Sequence, residues 1–225
     1  MSFDIVTTVS EDFVSGLDLF VPSWARYSGA DSIRIHLART SNWYEGIIER
    51  NVNLYKELLE ASITGRRVLS LDLDVFVLEN LEGGFDGDHP IAVARWPEPN
   101  MGVAFFDTSI EFDWSRFFDP LIEKITERCR NPKVWGTNGR KGRLGDSPCW
   151  FEALRSVAPM IRKLDPNVWN FCSAPQDTER LLTKHREKVK VLHLKGRGNW
   201  TTEERFRRRL QTFRKFFSEK IGGAR

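Results

Sequence analysis

Asp72 and Asp74 lie two positions apart in the middle of an otherwise apolar run, Val68–Leu78. Residues i and i+2 of a strand point to the same side, so the two carboxylates are expected to converge. Two like charges among apolar residues are costly unless a cation or hydrogen-bond donors compensate them. Mg²⁺ and Mn²⁺ prefer oxygen ligands of this kind, and the pair therefore predicts a divalent-cation site. The alternative is a solvated strand end that carries two unrelated acids.

Two further polar residues are placed where a ligand could reach them. Asn100 lies where a proline-containing loop enters the buried segment Met101–Asp107, and Gly102 permits close approach of the backbone. Asp146 directly precedes a predicted helix that begins at Ser147, which makes it a rigid platform for a ligand-contacting carboxylate. The structural alternatives are that Asn100 satisfies local backbone groups and that Asp146 caps the helix.

A third group of residues could bind a phosphorylated ligand. Lys195 and Arg197, with Gly196 between them, follow the last predicted strand and can bring donors to a diphosphate. Lys56 lies on an amphipathic helix, where a solvated lysine is the alternative. The basic segment Asn131–Gly145 is typical of a lid over such a ligand or of an ordinary solvated loop. The end of the first predicted strand could contact a base or ribose, or form only a turn and cap: Thr7, Thr8 and Val9.

The elements that must position these residues alternate between strand and helix. Strands are predicted at Phe3–Val9, Ser32–Ala38 and Val68–Leu78, with helices after Ser10 and across Tyr44–Ala61. This alternation predicts an α/β fold in which helices flank a mostly parallel central sheet. Ligands of such sheets bind at the carboxyl ends of the strands, which is where the candidate residues lie.

Later elements extend the same pattern. Strands are predicted at Pro90–Arg95, Met101–Asp107 and Val189–Leu194, and Asp119-Pro120 is expected to begin a helix that runs to Arg130. The sequence contains neither a GxGxxG nor a GxxxxGK[ST] motif, which disfavours a dinucleotide-binding Rossmann site and a P-loop.

Composition predicts one globular domain spanning 1–225. A chain of 225 residues with 40% hydrophobic and 29% charged residues can bury a substantial core. Its net charge of +3 is too small to indicate nucleic-acid binding. No signal-peptide pattern and no apolar run of membrane-spanning length is visible. Three cysteines without a CxxC pair favour reduced thiols in the cytoplasm.

Basic residues are concentrated in a predicted C-terminal amphipathic helix within 201–225. Phe206, Leu210, Phe213 and Phe217 recur at helical spacing among arginines and lysines. The leading interpretation is a helix that docks on the domain through its phenylalanines. Peripheral contact with an anionic membrane surface is the second interpretation, and nucleic-acid binding is the third.

These motifs resemble, in their order along the chain, those of GT-A-fold glycosyltransferases. The closest resemblance is to family 8, the glycogenin and bacterial galactosyltransferase group. Leu69–Val75 is similar to the metal-binding DxD strand of that family. Asn100–Val103 resembles its NxGV segment, and Gly145–Ser147 resembles its later aspartate motif. His193–Gly196, followed by Trp200, resembles its HxxG…W segment.

The resemblance implies a GT-A fold and a set of site residues. Asp72, Asp74 and His193 would hold Mn²⁺ or Mg²⁺, while Asn100 and Asp146 would contact the transferred sugar. This chain has Gly198-Asn199 where the family usually has Lys-Pro, so a basic residue of the preceding loop is expected to supply that phosphate contact. The donor-binding residues are expected to be Thr7, Thr8, Val9, Lys56, Leu73, Lys195, Gly196 and Arg197.

The activity implied by the resemblance is metal-dependent transfer of a sugar from a nucleotide sugar, expected to be a UDP-sugar. The acceptor would be a hydroxyl of a glycan or another molecule, and retention of anomeric configuration is expected. One alternative is an inverting GT-A enzyme with Asp146 as the base. Another is a sugar-nucleotide-binding module without turnover. No nucleic-acid partner is expected.

Overall fold

A computed structural model of the chain describes residues 2–40, 42–94, 101–131, 146–172, 177–194 and 204–221. Its strands, in chain order, are β1 (Phe3–Ser10), β2 (Ser32–Ala38), β3 (Arg67–Leu71), β4 (Val75–Val77), β5 (Ile91–Ala94), β6 (Val103–Asp107), β7 (Ile161–Leu164) and β8 (Val191–His193). Its helices are α1 (Leu17–Tyr27), α2 (Trp43–Thr64), α3 (Trp114–Arg130), α4 (Ser147–Ser156), α5 (Pro166–Trp169), α6 (Thr178–His185) and α7 (Glu204–Ile221).

Six of these strands form one sheet in the order β2-β1-β3-β6-β5-β7. Strand β6 runs antiparallel to both of its neighbours, and the other neighbouring pairs are parallel. The central sheet is therefore mostly parallel, as the alternation of elements predicts. Strands β4 and β8 pair antiparallel in a separate, two-stranded sheet.

Apolar side chains are buried on both faces of the large sheet. On one face, α2, α3 and α4 contribute Leu58, Phe118 and Trp150 to a common cluster. On the other face, α1 and α7 contribute Trp24 and Phe213, together with the apolar residues of the small sheet. Helices thus flank the sheet on both sides, and the carboxyl ends of β1 and β3 remain available for a site.

Helix α2 has well-defined stop and start signals in the sequence. Asn42 caps its first turn, since the Asn42 side chain accepts hydrogen bonds from Tyr44 N at 2.9 Å and Glu45 N at 3.5 Å. Gly65 ends the helix in the left-handed conformation with φ of 66°. The predicted helix Tyr44–Ala61 is therefore confirmed, with slightly longer ends.

The apolar run Val68–Leu78 does not form the single strand that its composition predicts. Strand β3 ends at Leu71, which pairs with Val103, whereas β4 begins at Val75, which pairs with His193. The chain changes its pairing partner between these two residues. The acidic pair therefore lies in a tight turn rather than within a strand.

The predicted start of a helix at Asp119-Pro120 is wrong. Helix α3 begins at Trp114, and the Asp113 side chain accepts a hydrogen bond from Arg116 N at 2.9 Å. Proline inside a helix costs about 3 kcal/mol. Trp114 and two phenylalanines of this helix are buried, and each buried aromatic side chain is worth about 1.5–3 kcal/mol. Burial therefore outweighs the penalty at Pro120.

Several other elements differ from their prediction. A 3-10 turn, Glu11–Gly16, separates β1 from α1, which begins at Leu17 rather than directly after Ser10. Helix α6 was not predicted at all. The predicted basic lid segment, Asn131–Gly145, lies outside the described residues from position 132 onwards.

The C-terminal helix docks on the domain as its phenylalanine spacing predicts. Phe213, Phe217 and Ile221 of α7 are buried in the same apolar cluster as α1 and the small sheet. Among the described helices, none combines the length and the apolar character needed to cross a bilayer. The three cysteines form no disulfide.

Candidate active site

The turn between β3 and β4 carries Asp72 and Asp74. Asp72 N donates to Gly102 O at 2.9 Å, which extends the β3–β6 pairing by one residue. The carbonyl of Asp74 accepts a hydrogen bond from Leu194 N at 2.9 Å, directly beside β8. Backbone bonds to two different strands therefore hold the two aspartates in place.

His193 is brought to this turn by the register of the small sheet, where it lies opposite Val75. Its Nε2 is 3.1 Å from Asp74 Oδ1 and 3.9 Å from Asp72 Oδ2. One ligand atom from each of the three side chains lies within 4.8 Å of the others. The acidic pair and the late histidine thus come together, although most of the chain separates them.

The residues around this cluster fit a divalent cation. Two carboxylates and one imidazole can hold a divalent cation: the carboxylates suit Mn²⁺ or Mg²⁺, and the imidazole favours the transition metal of the two. Gly102 faces the cluster directly before β6, and a Cβ atom placed on it would lie 2.4 Å from Cε1 of His193 and 2.8 Å from Oδ2 of Asp72. The missing side chain therefore lets the His193 ring and the Asp72 carboxylate lie against the backbone at Gly102, where any Cβ would displace them.

Arg50 of α2 links the acidic pair to Asp146. Its Nη1 donates to Asp72 Oδ1 at 2.8 Å, and its Nη2 donates to Asp146 Oδ2. The same Asp146 oxygen accepts a hydrogen bond from Asn51 Nδ2 at 2.9 Å, and Trp150 Nε1 donates to Asn51 Oδ1 at 2.8 Å. Asp146 precedes α4 but makes no side-chain capping bond. Its carboxylate is therefore directed towards Arg50 rather than towards its own helix.

Burial and charge act in opposite directions on the two carboxylates that Arg50 contacts. Burial raises the pKa of Asp72 above its ordinary value, and the neighbouring Asp74 adds to this, although Arg50 opposes both. Burial also tends to raise the pKa of Asp146, but Arg50 and Asn51 outweigh it and hold that pKa below its ordinary value. Asp146 is therefore ionised near neutral pH.

A cavity of about 220 Å³ opens between the ends of β1, α2 and the acidic turn. Thr8, Val9 and Leu73, three of the predicted donor-binding residues, line it together with Arg50 and the acidic pair. Thr7 is buried and belongs to the opposite face of β1 from Thr8.

Lys56, another predicted donor-binding residue, does not line this cavity. Lys56 is exposed and lies six positions after Arg50, about 240° around α2. Asn100, Lys195, Gly196 and Arg197 lie outside the described residues. Their predicted contacts with the donor stay predictions.

Arg50 and Asn51 are functional candidates that the sequence reasoning did not find. Asn51 is almost completely buried within α2, and a polar residue on the apolar face of an amphipathic helix is a usable signal. Arg50 gives a weaker signal, because an arginine on a helix is usually solvated. Asp146, which directly precedes α4, becomes a partner of Arg50 only because α4 lies against α2 in the folded chain.

Comparison with solved structures identifies the fold. The chain is similar to a glycosyltransferase involved in the glycosylation of the major capsid of PBCV-1, with a TM-score of 0.56 and 15% identity over 94% of this chain and 99% of that one. It is similar to mouse xyloside xylosyltransferase 1, with a TM-score of 0.50 and 12% identity over 90% of this chain and 99% of that one. It is also similar to the glycosyltransferase GlyE of Streptococcus pneumoniae TIGR4, with a TM-score of 0.50 and 16% identity. This match extends over 98% of this chain but only 64% of GlyE.

No protein-family model and no curated protein sequence matches the chain. At the identities above, the structural similarity establishes the fold alone. Together with the mostly parallel sheet flanked by helices, it shows that this chain has a GT-A-like glycosyltransferase fold.

Proposed function

We propose that this chain is a metal-dependent glycosyltransferase that uses a nucleoside-diphosphate sugar, expected to be a UDP-sugar. The observation that carries the proposal is the cluster of Asp72, Asp74 and His193 beside a cavity at the carboxyl ends of β1 and β3. The GT-A-like fold supports it, because ligands of α/β sheets bind at this edge.

The leaving group in such a reaction is a nucleoside diphosphate, on which negative charge grows as the anomeric bond breaks. A divalent cation held by Asp72, Asp74 and His193 would neutralise that charge. Arg50 keeps Oδ1 of Asp72 occupied, which leaves Oδ2 to face His193. The side chains of this chain thus prepare one carboxylate oxygen for the cation before the donor arrives.

Asp146 is suited to orienting the transferred sugar. Its carboxylate is fixed by Arg50 and Asn51 and can accept hydrogen bonds from sugar hydroxyls, so that its contribution is positioning. A pKa below the ordinary value makes Asp146 a weak base. This favours retention of anomeric configuration over the inverting alternative in which Asp146 deprotonates the acceptor.

The proposal is tested by measuring release of nucleoside diphosphate from a panel of sugar nucleotides, with and without Mn²⁺. We expect the wild type to consume one donor, and only when the metal is present. The control variant Asp88→Asn, which removes an exposed acid from the loop before β5, should behave in the same way. Asp74→Asn should abolish the release. Binding of a donor without turnover would instead identify a non-catalytic binding module, and no binding at all would contradict the proposal.

A second readout decides the stereochemistry. Once a donor is known, the anomeric configuration of the transferred sugar is read by NMR spectroscopy of the first product formed. We expect the configuration of the donor to be retained. An inverted product would contradict retention and favour the alternative in which Asp146 acts as the base.

A further inference from the structure

A buried amide lies on the side of His193 that faces away from the acidic pair. Asn170 Oδ1 is 3.0 Å from Nδ1 of His193, while Nε2 of the same ring is 3.1 Å from Asp74 Oδ1. Asn170 and His193 are 2% and 3% exposed, so water does not compete for this contact. The imidazole is thus held between an amide oxygen and the carboxylates.

The backbone fixes Asn170 in this position. Asn170 directly follows helix α5, and the next residue joins the edge of β8: Phe171 N donates to Val191 O at 2.9 Å, and His193 N donates to Phe171 O at 2.9 Å. Two backbone hydrogen bonds therefore connect the segment around Asn170 to the strand that carries His193. Movement of one segment would move the other.

An amide oxygen accepts hydrogen bonds but cannot donate them. Contact with Oδ1 of Asn170 therefore requires a proton on Nδ1 of His193. In that tautomer the lone pair of the neutral ring is on Nε2, which faces Asp72 and Asp74. A ring with the opposite tautomer would present an N–H group to the cation site and could not bind a metal there.

We propose that Asn170 is a positioning residue that holds His193 in the Nδ1–H tautomer and so prepares Nε2 as a cation ligand. The inference rests on the proposed function in assigning His193 to a metal site. A partner of this kind on the second ring nitrogen changes metal affinity by about ten- to a hundredfold in known metal sites. A neutral amide does so without adding a third negative charge beside the two aspartates.

The test combines the protonation of the ring with metal affinity. Ring-¹⁵N NMR spectra of the metal-free chain contain signals from four histidines, and His193→Gln identifies the signals of His193. We expect Nδ1 of His193 to be protonated at neutral pH in the wild type and in Asn170→Asp, which keeps an acceptor oxygen. Calorimetric titration with Mn²⁺ alone should give a Kd about ten- to a hundredfold higher for Asn170→Leu.

The matched control is Asn167→Ala, which removes an amide three residues earlier whose described bond is to Asp165. It should leave the Kd for Mn²⁺ unchanged, and Asn170→Asp should retain metal binding. An unprotonated Nδ1 in the wild type would overturn the inference without any variant, as would an unchanged Kd in Asn170→Leu. Absence of Mn²⁺ binding by the wild type, with Nδ1 protonated, would overturn the proposed metal site and leave the tautomer assignment standing.

Discussion

Gly102 lies close enough to Asp72 and His193 for a single methyl group to disturb both. The Cβ of an alanine at this position would lie 2.4 Å from Cε1 and 2.8 Å from Nδ1 of His193. Separations this short force the ring or the β6 backbone to move, because close-packed interiors leave no free space. We expect Gly102→Ala to weaken Mn²⁺ binding by at least about tenfold, as measured by calorimetric titration.

The control for this variant is Gly83→Ala, where the nearest atom to the new Cβ is 3.4 Å away. It should bind Mn²⁺ with wild-type affinity. If Gly102→Ala also binds Mn²⁺ normally, the three side chains do not form the cation site.

Asp146 should make the stability of the chain depend on pH in the acid range. Its pKa in the folded chain is below the ordinary value of 3.8, so its contribution to stability is complete above the unfolded-state pKa and is lost as the pH falls through the folded-state pKa. At pH 7, Asp146→Asn should lower the free energy of unfolding by about 1–3 kcal/mol. The difference from the wild type should narrow below about pH 4.

Urea unfolding of both proteins at a series of pH values measures this difference. A gap that stays constant down to low pH would show that Asp146 is not held ionised by Arg50. The same series on Asp165→Asn, which removes an exposed capping carboxylate, provides the control for acid effects unrelated to the Arg50 contact.

At the scale of single residues, the acidic pair is visible without a structure, because carboxylates are unusual in an apolar run. A role for His193 beside that pair was implied only by the resemblance to family 8, and the structure brings the three side chains together. Arg50 could not be predicted in the same way. Its significance depends on two carboxylates that lie on other elements, and nothing about its neighbours along α2 distinguishes it from a solvated arginine.

At the scale of elements, local patterns predict strands and helices better than they predict where an element changes partner. The residues from Val68 to Leu78 are apolar apart from Ser70 and the two aspartates, so composition favours one strand. The structure instead divides this segment into β3 and β4, because Val75 pairs with His193 of β8 rather than with β6. That pairing depends on a contact between distant parts of the chain, which local periodicity does not contain.

Helix α7 offers the clearest test of an element's role. Phe213 is 2% exposed in the cluster that also contains α1 and the small sheet. We expect Phe213→Ala to lower the free energy of unfolding by about 3–5 kcal/mol, measured by urea unfolding. Arg208→Ala removes an exposed side chain paired with Glu204 in the same helix and should change stability by less than about 0.5 kcal/mol. Equal small effects would mean that α7 is not docked in solution.

At the scale of the whole molecule, the order of motifs predicted the fold that the solved glycosyltransferases share. The fold is similar at only 12–16% identity. The reversed direction of β6 was not predicted. Periodicity reports which residues face the core, and it is the same for either direction of a strand.

The most direct test of the central claim is calorimetric titration of UDP into the chain with and without Mn²⁺, using the wild type and the double variant Asp72→Asn/Asp74→Asn. The account predicts that UDP binds the wild type at least about tenfold more tightly when Mn²⁺ is present, and that this gain disappears in the double variant. Equal affinity for UDP with and without Mn²⁺, or a gain that survives loss of both carboxylates, would contradict it.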